Sequence, residues 1–189
     1  MIFDRLIEKI ISTQNPVCVG LDTSFDYLPD GMKDGVTDYA GAAGAIFEFN
    51  KKIIDYVYDL VPAVKVQIAY YEQYGEPGLA AFGATCEYAS RRGLIVITDA
   101  KRNDIGATAA RYSASFLGET VINGNHSTPY PSDLLTVNGY FGTDGIAPFL
   151  EDCKQFNKGV FVLVKTSNPS SGELQNLRLS DGRTVYECM

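Results

Sequence analysis

The sequence predicts an α/β fold built around a parallel β-sheet. Short apolar runs rich in β-branched residues alternate along the chain with segments whose apolar residues recur at helical spacing. The apolar runs are nearly continuous, which is typical of parallel strands that are covered on both faces. At 189 residues the chain is long enough for one sizeable core, and we expect a single domain over residues 1–189.

Each expected strand is an apolar run bounded by glycine, proline or polar residues. Five strands are expected, at residues 17–22, 63–67, 94–99, 134–138 and 160–166. Helical spacing predicts the helices between them, at residues 46–60, 79–91, 105–117 and 145–156.

Two segments lie outside this alternation. The first residues form an amphipathic pattern with Phe3, Leu6, Ile7 and Ile10 on one face, which predicts a short helix. Residues 118–132 are rich in Gly, Asn, Thr and Pro and are expected to form a loop. No G-x-G-x-x-G motif follows the first strand, which argues against a dinucleotide-binding site.

Composition narrows the classes of function. The net charge of −7 argues against nucleic acid or an anionic membrane surface as a partner. No apolar stretch approaches the roughly 20 residues of a membrane span. The single histidine, His126, argues against a histidine-ligated metal cluster or a catalytic triad. Four scattered cysteines without a C-x-x-C motif predict free thiols in a reducing compartment, so we expect a cytoplasmic location.

Polar residues collect where the expected strands end. In parallel α/β folds, both barrels and open sheets place their active sites at the carboxyl ends of the strands. The residues at these positions are Asp22, Lys65, Asp99, Lys101, Asn138 and Ser167.

The segment Asp99-Ala-Lys101-Arg-Asn-Asp104 is the densest of these groups. Side chains alternate along a strand, so Asp99 and Lys101 are expected to point the same way. The alternative is a surface ion-pair cluster in which Asp104 caps the following helix. Taken alone, Lys65 could equally be an exposed edge residue, and Ser167 could belong to an ordinary turn.

The same segment carries a family resemblance. Extended to Ile-Gly-Ala-Thr108, it matches the signature D-x-K-x-x-D-I-G-x-T of orotidine 5′-phosphate decarboxylase. The remaining blocks occur in the order of that family: Val19-Gly-Leu-Asp22, Val64-Lys65, Leu135-Thr-Val-Asn138 and Val164-Lys-Thr-Ser167. The last block resembles the longer-chain bacterial members.

The resemblance implies a (β/α)8 TIM barrel that forms homodimers. It also implies decarboxylation of orotidine 5′-phosphate to uridine 5′-phosphate in de novo pyrimidine biosynthesis, without metal or cofactor. By the same resemblance, Lys101 would donate a proton to C6 of the pyrimidine, and Asp99 would lie against the substrate carboxylate. A fixed positive charge where the carbanion develops is the stabilisation that such chemistry requires.

Five further roles follow from the resemblance. Lys65 would hold Asp99 and a ribose hydroxyl, and Asp22 would bind the ribose. Asp104 would reach across the dimer into the neighbouring site, and Thr108 would line that shared site. Ser167 would hydrogen-bond the pyrimidine.

Five strands are fewer than the eight of a barrel, which usually needs about 250 residues. The family's phosphate-binding glutamine and arginine, after strands seven and eight, have no counterpart before Met189. We therefore expect about five βα units here, forming the N-terminal part of a longer barrel. An open sheet is the alternative fold.

Two other functions stay open at this point. Mg²⁺-dependent sugar-phosphate decarboxylases and hexulose-phosphate synthases share D-x-K-x-x-D, but they need a carboxylate near the end of strand two. Here that strand carries Lys65 and Gln67, and the nearest acid is Glu72. The second alternative is a non-catalytic truncated barrel that serves as a subunit or interaction module.

Overall fold

The structure is a computed structural model that describes all 189 residues. Its strands are β1 (Cys18–Gly20), β2 (Ala63–Gln67), β3 (Ile95–Arg102), β4 (Thr120–Ile122), β5 (Asn125–Ser127), β6 (Leu134–Asn138) and β7 (Gly159–Leu163). Its helices are α1 (Ile2–Thr13), α2 (Asp30–Lys33), α3 (Tyr39–Val57), α4 (Ala69–Glu72), α5 (Gly75–Arg91), α6 (Gly106–Phe116), α7 (Thr143–Phe156), α8 (Gly172–Gln175) and α9 (Val185–Cys188). Short 3₁₀ turns occupy Phe25–Tyr27 and Pro169–Ser171.

The five expected strands form one parallel sheet in the order β1-β2-β3-β6-β7. Spatial order therefore follows chain order, with helices in each connection. Doubly wound open sheets reverse their strand order at a switch point, whereas a (β/α)8 barrel adds each strand beside the preceding one. The topology is that of five consecutive barrel units.

The main core lies between the sheet and its helices. Strand residues on the outer face pack against buried residues of α3, α5 and α7. These strand residues are Val64, Val66, Val96, Leu135 and Val137, and the helix residues include Ile46, Ile54, Phe82 and Phe149. The apolar runs of the central strands β2, β3 and β6 are thus explained by burial, whereas the edge strands β1 and β7 remain largely exposed.

A smaller core closes the amino ends of the strands. Ile2 of α1 is buried there against Ala63, Ile95, Ile97 and Leu134. The guanidinium of the α1 residue Arg5 lies 3.3 Å from Oδ1 of Asp133, just before β6. The predicted N-terminal helix is confirmed, and it covers the end of the sheet opposite the polar strand ends.

The expectation that residues 118–132 form only a loop is wrong, because the segment contains two paired strands. β4 and β5 pair antiparallel as a hairpin, with Val121 opposite His126. Its turn residues Asn123 and Gly124 both have positive φ, at 50° and 80°. Asn-Gly is the strongest short-range hairpin signal, because both residues tolerate that backbone region.

None of the helices combines the length and the apolar character that a membrane-spanning helix requires.

Candidate active site

Four charged side chains of alternating sign form a chain at the carboxyl ends of β1, β2 and β3. The ammonium of Lys65 lies 2.8 Å from Oδ1 of Asp22 and 3.4 Å from Oδ2 of Asp99. The ammonium of Lys101 lies 2.6 Å from Oδ1 of Asp99. The structure thus brings together four of the residues that the sequence singled out, which we call the charge chain.

Asp99 is the centre of the charge chain, and its carboxylate is fully used. Oδ1 accepts hydrogen bonds from Lys101 and, at 2.8 Å, from the hydroxyl of Thr136. Oδ2 accepts one from the amide of Gln67 at 2.9 Å and faces Lys65. A carboxylate offers about four acceptor directions, so each is occupied.

Burial and charge act in opposite directions on Asp99, whose side chain is only 12% exposed. Burial raises the pKa of Asp99, but hydrogen bonds from Lys101 and Thr136 and the charges of Lys101 and Lys65 outweigh it. The pKa of Asp99 therefore lies below its usual range, and the carboxylate is ionised at neutral pH.

Lys65 is held as a cation by the same network. Burial lowers the pKa of Lys65, but the hydrogen bond and charge of Asp22, with those of Asp99, turn the net shift upward. The interpretation of Lys65 as an ordinary edge residue is wrong, because its strand is paired on both sides and its ammonium joins two carboxylates.

Lys101 reaches Asp99 by an irregular backbone rather than by regular alternation. The pairing of β3 with β6 shifts register between Thr98 and Arg102. Within this bulge Lys101 has φ of 49°, in the left-handed region. Its side chain remains 47% exposed, so the ammonium is held by Asp99 and is also accessible to solvent.

Three expected site residues lie apart from the charge chain. Asp104 accepts a hydrogen bond from the backbone N–H of Ile105 at 2.8 Å and contacts none of the four charges. Thr108 is exposed on α6, and Ser167 is exposed beyond β7.

Sequence reasoning missed Thr136 and Gln67 as parts of the site. Each lies two residues from a polar strand residue that the sequence had singled out. Thr136 is two residues before Asn138, and Gln67 is two residues after Lys65. That spacing was the available signal, since residues two apart on a strand share a face.

A buried polar network braces the end of β1 and was also not predicted. The hydroxyl of Thr23, next to Asp22, donates to Oδ1 of Asn50 at 2.6 Å. The amide of Asn50 donates to the Tyr71 hydroxyl at 2.8 Å. All three side chains are buried, which links the loop carrying Asp22 to α3 and α4.

The acid nearest the end of strand two is already paired. A carboxylate oxygen of Glu72 lies 2.6 Å from the guanidinium of Arg102. No group of three or more His, Cys, Asp or Glu side chains is placed to hold a metal ion. A surface groove of about 670 Å³ lies between α5 and residues 128–131, away from the charge chain, so the site is identified by its charges rather than by a cavity.

Comparison with known proteins points to one family. The family described as "Orotidine 5'-phosphate decarboxylase / HUMPS family" matches residues 15–188. The orotidine 5′-phosphate decarboxylase of Caldicellulosiruptor saccharolyticus is 44% identical over 183 residues, covering 94% of this chain and 60% of its own length. The enzyme of the same name from Rhodopirellula baltica is 44% identical over 185 residues, covering 97% of this chain and 60% of its own.

The fold agrees with solved structures. The structure of Leishmania donovani OMP decarboxylase superimposes with a TM-score of 0.76 at 31% identity, over 99% of this chain and 62% of that one. The chain spans about 60% of the length of the curated relatives it matches. With five consecutive units of a (β/α)8 barrel and a match over residues 15–188, the chain belongs to the orotidine 5′-phosphate decarboxylase / HUMPS family.

Proposed function

We propose that the protein containing this chain decarboxylates orotidine 5′-phosphate to uridine 5′-phosphate without a metal or cofactor. The observation that carries the proposal is the charge chain Asp22–Lys65–Asp99–Lys101 at the carboxyl ends of three adjacent strands. The names of the relatives support this substrate over the sugar phosphates of the wider family.

Lys101 is the proposed proton donor. When the bond between C6 and the carboxylate breaks, CO2 leaves and the electron pair stays on C6. The Lys101 ammonium stabilises this developing negative charge and transfers one proton to C6, becoming a neutral amine that solvent reprotonates. The 2.6 Å contact with Asp99 fixes the direction of the ammonium beforehand.

The other members of the charge chain are proposed to orient the substrate. Asp99 lies against the substrate carboxylate, Lys65 binds a ribose hydroxyl while holding Asp99, and Asp22 binds the ribose. The paired charges suit this task, because each side chain is held in place before substrate arrives.

The three residues outside the charge chain are proposed to act with a second subunit or another loop. Asp104, in the β3–α6 connection, and Thr108, on α6, extend into the site of the partner in a homodimer, and Ser167 binds the pyrimidine. Asp104 makes no ion pair with the charge chain of its own subunit, which supports a role outside that site.

The reaction is tested with the complete natural protein, since this chain spans only part of its relatives' length. Orotidine 5′-phosphate is supplied with excess EDTA, and uridine 5′-phosphate and CO2 are measured. Full turnover under chelation is expected. Activity that disappears with EDTA and returns with Mg²⁺ would instead assign the protein to the metal-dependent members of the family.

A further inference from the structure

The hydroxyl of Thr136 on β6 makes three hydrogen bonds to one short stretch of β3. Its oxygen accepts from the backbone N–H groups of Ala100 and Lys101, each at 3.0 Å. Its proton is donated to Oδ1 of Asp99 at 2.8 Å. A hydroxyl has one donor and two acceptor sites, so every hydrogen-bonding site of Thr136 is used.

These contacts fall where β3 departs from regular pairing. Between Thr98 and Arg102 the register with β6 shifts, and within this interval the N–H groups of Ala100 and Lys101 bond to the Thr136 side chain. Lys101 also has a φ of 49°, which side chains with a Cβ rarely adopt unless their surroundings enforce it. The Thr136 oxygen supplies the acceptor that this bulge needs.

The same oxygen of Asp99 receives both Thr136 and the Lys101 ammonium. The Thr136 hydroxyl therefore holds both the backbone at Lys101 and the carboxylate that orients the Lys101 ammonium. A displacement of about 1 Å in a reacting group costs about 100-fold in rate, so such a clamp has a large effect on turnover.

We propose that Thr136 is a positioning residue that holds the Lys101 ammonium and the Asp99 carboxylate in the geometry required for proton transfer. The proposal rests on the proposed function of Lys101 and Asp99. Thr136 acts through these two side chains and is not assigned a contact with substrate.

The charged and polar groups that face Asp99 are Lys101 on β3, Lys65 and Gln67 on β2, and Thr136 on β6. Asp22 faces Lys65 from the end of β1. The Thr136 hydrogen bond is one of the contacts that lower the pKa of Asp99 against the effect of burial. Its removal should raise the pKa of Asp99.

The test compares Thr136→Val, which removes the hydroxyl at nearly constant volume, with Thr136→Ser, which keeps it. In the complete protein we expect Thr136→Val to lower kcat by about 10- to 100-fold while KM changes little. Thr136→Ser should stay within about threefold of wild type, since its hydroxyl can make the same contacts. The acid limb of the kcat profile should move to higher pH in the valine variant alone.

A matched control is Thr128→Val, because the half-buried Thr128 hydroxyl likewise donates a hydrogen bond, to the Gly118 carbonyl, and lies outside the charge chain. This control should lose stability without the change in kcat or in the pH profile. Equal kcat and pH profile in wild type and Thr136→Val would overturn the proposal, as would equal losses in the serine and valine variants. If the valine variant does not fold, Thr136→Ala takes its place in the same comparison.

A second readout separates this proposal from the proposed function. Carbon-13 NMR of the Asp99 carboxyl measures its titration without any turnover. An upward shift in Thr136→Val but not in Thr136→Ser supports the clamp even if wild type fails to decarboxylate orotidine 5′-phosphate, which would refute only the reaction. An unchanged Asp99 titration in Thr136→Val contradicts the clamp whatever the substrate.

Discussion

The Lys101 ammonium lies 2.6 Å from the carboxylate of Asp99, although the backbone at Lys101 leaves the regular strand conformation. A regular strand would place two such side chains side by side and parallel. In the bulge the Lys101 ammonium contacts Oδ1 of Asp99, while the Thr136 hydroxyl bonds both to the Lys101 N–H and to the same Oδ1. The geometry of this contact therefore depends on the pairing of β3 with β6 as well as on the motif within β3.

Replacement of Lys101 by alanine should abolish turnover and leave the fold intact. The side chain is 47% exposed and contributes charge rather than packing, so little buried apolar area is lost. Loss of a general acid lowers kcat by about 10²- to 10⁴-fold. Steady-state kinetics and circular dichroism of the complete protein measure both expectations.

Lys154→Ala is the matched control, because Lys154 is an exposed lysine on α7, away from the charge chain. It should retain wild-type kinetics. Near-native turnover in Lys101→Ala would show that the proton comes from another group.

The sequence predicted the parts of this site that depend on strand ends. Asp22, Lys65, Asp99 and Lys101 were recognised because the carboxyl ends of parallel strands meet at one edge of the sheet. The expected bounds of β2 and β6 equal the observed bounds, because a buried parallel strand shows in the sequence as a nearly continuous apolar run.

The parts that depend on contacts between distant segments could not be predicted in the same way. Thr136 is a single polar residue within an apolar strand, and only the pairing of β6 with β3 brings it to Asp99. The positive φ of Lys101 falls within the irregular part of that pairing and has no local signal in the sequence. Asn123 and Gly124 did carry a local signal for the hairpin, which the loop-like composition around them obscured.

Mixing two inactive variants should restore activity if active sites are shared between subunits. Lys101→Ala and Asp104→Ala each damage every site of their own homodimer. In a mixed two-fold dimer one site carries both changes and the other carries neither, so equal mixing should recover about one quarter of wild-type activity. The measurement is kcat per site after subunit exchange.

The control mixture combines Lys101→Ala with Asp99→Asn. These residues touch within one chain, so a mixed dimer has no undamaged site and should stay inactive. If the Lys101→Ala and Asp104→Ala mixture also stays inactive while subunits demonstrably exchange, Asp104 does not act in the partner's site.

The lowered pKa of Asp99 should make stability fall in acid. Because the pKa of Asp99 lies below its usual range in the folded protein, its ionised form contributes stability above the unfolded pKa. That contribution is lost as pH falls through the folded pKa. Asp99→Asn should therefore show a shallower fall in unfolding free energy between about pH 5 and about pH 2.

Urea unfolding at a series of pH values measures this difference. Asp26→Asn is the control, since Asp26 is exposed and makes no ion pair, and its curve should parallel wild type. An Asp99→Asn curve that also parallels wild type would show that the network does not stabilise the ionised carboxylate.

The packing of α5 on α4 depends on the absence of a side chain at Gly78. A Cβ at Gly78 would lie 1.9 Å from the carbonyl oxygen of Tyr71 and 2.8 Å from its carbonyl carbon. Both are backbone atoms, so Gly78→Ala must move one helix and should destabilise the protein by about 1–3 kcal/mol.

Gly44→Ala on α3 is the matched change, because a Cβ there meets nothing within 4 Å. It should stabilise by about 0.4–1 kcal/mol through the reduced entropy of the unfolded chain. The change in unfolding free energy relative to wild type should therefore have opposite signs in the two variants. Equal changes would mean that α4 and α5 can move apart at Gly78 without cost in free energy.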